Sequence, residues 1–95
     1  VTEIVRVKSS KSQARVLIVD DEPLARDGLR MLLAEETRCA EILQANNGRE
    51  AVALIRAERP DLVFLDVQMP EMDGFEVVRE IGAANMPGIV FVTAH

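Results

Sequence analysis

Asp20, Asp21 and Asp66 are the residues of this chain whose type and placement point most directly to chemistry. Asp20 and Asp21 follow the run Arg-Val-Leu-Ile-Val, and Asp66 follows Asp-Leu-Val-Phe-Leu. In a parallel sheet the functional edge is the C-terminal one, where ligands bind in the crevice beyond the strand ends. Adjacent strands lie roughly 4.8 Å apart, so acids that end two neighbouring strands crowd into one pocket. At about 4 Å and an effective dielectric near 20, each like-charge pair costs on the order of 4 kcal/mol. A cluster of this kind calls for a cation. Capping is the simpler role for Asp20 and Asp21, beside the positive end of a following helix, and both roles can hold together. Glu22 reads as a solvated charge at the start of that helix.

The elements that must position these acids follow from the apolar pattern. Val16-Leu17-Ile18-Val19 is a continuous apolar run, as expected of a strand buried on both faces. Pro23 stands where a first helical turn begins, and Leu24, Gly28, Leu29, Leu32 and Leu33 recur at helical spacing. A second strand is centred on Ile42-Leu43. Asn47 and Glu50 have the side chains of a capping box, and the helix they open carries Ala51, Leu54 and Ile55 on one face and stops at Pro60. Leu62-Val63-Phe64-Leu65 is the third strand. Met69-Pro70 and Asp73-Gly74 make a turn, Phe75, Val78 and Ile81 mark a third amphipathic helix, and Gly82 and Pro87-Gly88 close it before a fourth strand, Ile89-Val90-Phe91-Val92. This β-α-β-α-β-α-β order requires parallel pairing and right-handed crossovers, hence a doubly wound α/β sheet. A strand order of 2-1-3-4 sets the first and third strands side by side at the switch point.

Composition narrows the class. Ninety-five residues, 48% hydrophobic and 28% charged, suit one small globular domain. The apolar runs are far shorter than the ~20 residues that cross a bilayer, and the N-terminus has no signal-peptide core, so a cytoplasmic chain with no membrane partner is expected. The net charge is −5 with no basic cluster, which argues against this segment binding nucleic acid by itself. The single Cys39 cannot form an internal disulfide and reads as a small packing residue. Residues 1–14 differ from the rest: Lys8 to Gln13 is polar and unpatterned, a linker or N-terminal extension, although Ile4-Val5-Arg6-Val7 has the composition of a short extra strand. The patterned domain runs over residues 15–95.

Three segments together carry a resemblance. Val-Leu-Ile-Val-Asp-Asp-Glu-Pro-Leu at 16–24, Asp-Leu-Val-Phe-Leu-Asp-Val-Gln-Met-Pro-Glu-Met-Asp-Gly-Phe-Glu at 61–76 and Ile-Val-Phe-Val-Thr-Ala at 89–94 make residues 15–95 similar to the receiver domain of two-component response regulators. The resemblance implies a flavodoxin-like receiver fold. Asp66 then matches the phospho-accepting aspartate, fed by a phosphohistidine on a sensor histidine kinase. A carboxylate serves as nucleophile when the donor is held in line and its charge is neutralised. Asp21 and Asp66 match direct Mg²⁺ ligands, the backbone carbonyl of Gln68 a third protein oxygen, and Asp20 the holder of a metal-bound water. Thr93 matches the switch hydroxyl, which reaches a phosphoryl oxygen once Asp66 is modified. Pro-Leu-Ala-Arg at 23–26 and Thr-Ala-His at 93–95 look most like regulators that bind DNA through a separate LytTR-type output domain.

Other residues read more plainly. Met69 and Met72 are packing side chains, His95 is solvated, and Gly74 lets backbone approach the site. Receivers continue with a fourth helix, a fifth strand ending in lysine and a fifth helix, none of which is in this sequence. The chain is therefore expected to be a C-terminally truncated receiver, with its fourth strand an open edge prone to homodimerisation or strand exchange. The alternative function is a pseudo-receiver, an interaction module without phosphotransfer. A Mg²⁺-dependent phosphohydrolase of similar topology is disfavoured, because such enzymes place a second Asp where this chain has Gln68.

Overall fold

The computed structural model describes residues 13–93. The elements in chain order are β1 (Ala14–Val19), α1 (Pro23–Ala34), β2 (Cys39–Ala45), α2 (Gly48–Glu58), β3 (Leu62–Asp66), α3 (Gly74–Ile81), a 3-10 turn over Ala83–Asn85, and β4 (Gly88–Val92). The strands form one parallel sheet in the order β2-β1-β3-β4. This is the expected doubly wound arrangement. The stretch at residues 4–7, read as part of the N-terminal extension with the composition of an extra strand, lies outside the described residues.

Alternation along β1 and β3 divides the core in two. Leu17, Val19, Val63 and Leu65 face α2 and α3, where they join Ala51, Val52, Ile55, Val77 and Ile81. Val16, Ile18, Leu62 and Phe64 face the other way, toward Leu33 of α1. Because both faces are covered, the central strands are apolar without interruption over residues 16–19 and 62–65. Cys39 packs at the edge of the α1-side cluster, and burial pushes its thiol above the ordinary range. Met69 is buried among the α2–α3 cluster and Met72 packs against it, so both methionines act as core.

The helices start on sequence signals. Pro23 opens α1, but Glu22 at the cap position makes no side-chain capping bond. Asp20 Oδ1 instead accepts from the Glu22 amide at 2.9 Å, holding the turn ahead of the helix. At α2 only half of the expected capping box forms: Asn47 accepts from the Glu50 amide at 2.8 Å. The Glu50 carboxylate reaches one residue further back, to the Asn46 amide at 3.0 Å. The full box is at α3, where Asp73 and Glu76 cap each other's amides at 2.8 and 3.0 Å. Such caps are typically worth about 1 kcal/mol.

Two apolar faces differ from the sequence reading. Along α1 only Leu33 is buried; Leu24 is 80% and Leu32 68% exposed. The helix lies against β1 and β2 along one narrow stripe, where Leu29 packs partly buried beside Leu33 while Leu24 and Leu32 face outward. In α3 the buried residues are Gly74, Val77 and Ile81, while Phe75 is exposed and meets the exposed ring of Phe91 on β4 with centroids 5.1 Å apart. A Gly74-Val77-Val78-Ile81 stripe is the helical i, i+3, i+4, i+7 pattern, and Phe75 falls off it.

Candidate functional site

β1 ends at Val19 and β3 at Asp66, and the register pairs Val19 with Leu65. The carboxyls of Asp20, Asp21 and Asp66 are thereby delivered to the same edge. One oxygen from each lies within 4.8 Å of the others. Asp20 and Asp66 are only 6% and 4% exposed, whereas Asp21 is open to solvent. Among the described residues no lysine or arginine forms an ion pair with any of the three.

Electrostatics follow from that geometry. Burial first, then the charges of Asp20 and Asp21, push the Asp66 carboxyl above the ordinary carboxylate range; the Gln68 amide, donating to Asp66 Oδ1 at 3.0 Å, works in the opposite direction. Desolvation and like charge both disfavour the ionised form. A divalent cation reverses both penalties, and all-oxygen, carboxylate-rich donors are the set a hard cation takes. The three acids thus fit Mg²⁺.

The backbone around the cluster is held from several sides. The Asp20 amide donates to Ala45 of β2 at 3.2 Å, and Arg26 Nη1 donates to the Asp20 carbonyl at 2.7 Å. Beyond Asp66, the Val67 amide donates to the Val92 carbonyl at 3.2 Å and the Gly74 amide to the Val67 carbonyl at 3.1 Å. A Cβ on Gly74 would sit 2.5 Å from the Asp66 carbonyl oxygen, so only glycine lets α3 start this close. Between them the Met72 amide donates to the Pro70 carbonyl at 2.7 Å across Glu71, whose φ is 68°. That is a three-residue γ-turn of the rarer, positive-φ kind on a residue other than glycine. Thr93 follows β4 directly, one residue beyond the Val92 that pairs with Asp66, and is exposed. Gln68 stands in the same loop, its side chain exposed. His95 lies outside the described residues.

The sequence reading did not single out Arg26, Glu71 or Gly48. Arg26 had a weak signal, one helical turn past an acidic pair. Glu71 had none, since only glycine or asparagine would have announced a positive φ. A cavity of about 530 Å³ between Ile55, Arg59, Ile81 and Met86 lies at the opposite, N-terminal end of the strands and shares no residue with the acids.

The family model described as response regulator receiver domain matches residues 16–95. The transcriptional regulatory protein BtsR of Escherichia coli is 44% identical over 80 residues, covering 84% of this chain and 34% of BtsR. The chain thus spans about a third of the length of the curated relatives it matches. Among solved structures, the receiver domain of the response regulator NarL from Mycobacterium tuberculosis is 32% identical with a TM-score of 0.79, covering 90% of this chain and 69% of that one. The receiver domain of the histidine kinase CKI1 from Arabidopsis thaliana, solved with Mg²⁺ and BeF₃⁻, is 33% identical with a TM-score of 0.74, covering 86% and 66% respectively. By its sheet order, its carboxylate cluster and the reach of the family match, this chain belongs to the response regulator receiver domain family.

Proposed function

We propose that this domain is a phosphorylation-controlled switch that accepts a phosphoryl group on Asp66. The observation that carries the reading is the convergence of three carboxylates, two of them buried, at the ends of adjacent strands. Asp21, Asp66 and the backbone carbonyl of Gln68 would hold Mg²⁺, with Asp20 acting through a bound water. The ion supplies charge neutralisation at the phosphoryl oxygens. The chain's own residues do the rest. Asp66 presents a carboxylate oxygen that forms the new P–O bond as the P–N bond to the donor histidine breaks, the imidazole leaving with a proton. Positioning and electrostatics of this kind account for most of the catalysis in phosphoryl transfer.

The CKI1 receiver supports this reading, because BeF₃⁻ is a tetrahedral stand-in for a phosphoryl group and was bound there with Mg²⁺. Once Asp66 is modified, the Thr93 hydroxyl donates to a phosphoryl oxygen and draws the end of β4 inward. The donor is a sensor histidine kinase in the cytoplasm. The output is transcriptional, as the name of the E. coli relative suggests, through a DNA-binding domain of LytTR type outside this sequence. Residues 1–14 serve as the N-terminal extension of the domain.

The test is incubation with acetyl phosphate and Mg²⁺, followed by intact-mass measurement, with Asp66→Asn as control. A stable gain of one phosphoryl group, lost in the variant, is expected. No gain would leave an interaction module without phosphotransfer, and sustained phosphate release would mean a hydrolase.

A further inference from the structure

The first turn of α2 and the loop that follows Asp66 meet where there is no room for a side chain. A Cβ placed on Gly48 falls 2.7 Å from both Cβ and Cγ of Met72 and 2.8 Å from the Met72 carbonyl oxygen. One of those atoms is backbone, so relief requires the loop itself to move. Gly48 is buried, and Met72 packs against the α2–α3 core. Met72 is not at liberty to shift alone: its amide closes the turn on Pro70 across Glu71. On one side of that turn Met69 is anchored in the core; on the other Asp73 caps α3 and Gly74 rests on the Asp66 carbonyl. Gln68, whose amide holds Asp66 Oδ1, lies within the same short span. Gly28, by contrast, has nothing within 4 Å of its Cβ position.

We infer that Gly48 is a positioning residue for the Asp66 site: its missing side chain seats Met72 on α2 and thereby fixes the loop that carries Gln68. This rests on the Mg²⁺ reading above and adds that cation affinity is set in part from α2, outside the ligand set. Partners behind the ligands of a metal site are commonly worth 10–100-fold in affinity.

The test compares wild type, Gly48→Ala, Met72→Ala and the control Gly28→Ala in the purified protein. Mg²⁺ affinity is read by NMR titration, and hydrogen exchange of the Met72 and Gly74 amides is read without metal. Gly48→Ala is expected to bind Mg²⁺ roughly tenfold more weakly, with faster exchange at both amides. Met72→Ala, which empties the seat without a clash, moves both readouts in the same direction, and Gly28→Ala keeps the wild-type Mg²⁺ affinity with no faster exchange. A folded Gly48→Ala with wild-type Mg²⁺ affinity overturns the inference, even if its Tm falls, since simple packing would produce that. If Gly48→Ala does not fold, Met72→Ala decides on the same terms. A wild-type chain blind to Mg²⁺ takes down the metal reading and this inference together. Wild-type binding matched by the variants takes down the inference alone.

Discussion

Asp66 is the residue where stability and the proposed function pull apart. Its carboxyl is buried beside two other acids, and its raised pKa means that the folded protein holds that proton more tightly than the unfolded chain does. The contribution to stability is therefore complete below the unfolded carboxylate value and is lost as pH rises through the folded one. Removing the charge should help the metal-free protein: Asp66→Asn is expected to stabilise it at neutral pH by roughly 1 kcal/mol, or about 4–8 °C in Tm. The advantage should shrink on acidification and be gone below the unfolded value, which thermal melts across pH would reveal. Mg²⁺ should invert the ranking. At a hundred times its Kd it stabilises the wild type by about 2.7 kcal/mol, and both Asp66→Asn and Asp21→Asn should lose most of that response. Melts that rise equally with Mg²⁺ in all three proteins would exclude the cluster as the binding site.

At the scale of elements, α1 is the least committed part of the fold. Its central Gly28 is exposed, with open space where a Cβ would go. Gly28→Ala should therefore stabilise by about 0.5–1 kcal/mol through helix propensity alone, measurable by urea denaturation with an unchanged m-value. The same helix shows what the sequence could and could not reveal. Strand existence, strand order and the three converging acids were legible, because uninterrupted apolar runs followed by carboxylates occur for few other reasons. The buried stripe of α1 was not, since Leu24, Leu29, Leu32 and Leu33 all share the helical period and periodicity cannot say how wide a contact the sheet offers. Phe75 misled for a related reason. A large apolar residue near a stripe is easily counted into it, yet Val77, with less bulk, is the one that is buried. The γ-turn at Glu71 and the close approach at Gly48 carry no pattern at all and emerge only from packing.

For the whole molecule, charge and exposed apolar surface set the expected behaviour. Among the described residues the outer edge of β4 pairs with no strand, and Phe75, Phe91, Leu24, Met31 and Leu32 are exposed. Open edges and exposed apolar side chains together favour association. The 95-residue chain is expected to sediment as a dimer or larger species at micromolar concentration, with the β4 amides slow to exchange in the associated form. A compact monomer that unfolds in one cooperative transition would remove this expectation.

The strand order also bears on how the molecule is made. With β1 between β2 and β3, and every pairing parallel, no strand can close on its immediate neighbour by a tight hairpin. The ribosome delivers β1 and the first two acids long before the strand that completes the pocket. Contacts so distant in sequence slow the search for the native state, and the proposed cation site comes into being only when β3 docks. Capture of Mg²⁺ during refolding would accordingly report a late step, and its rate would time the closing of the sheet.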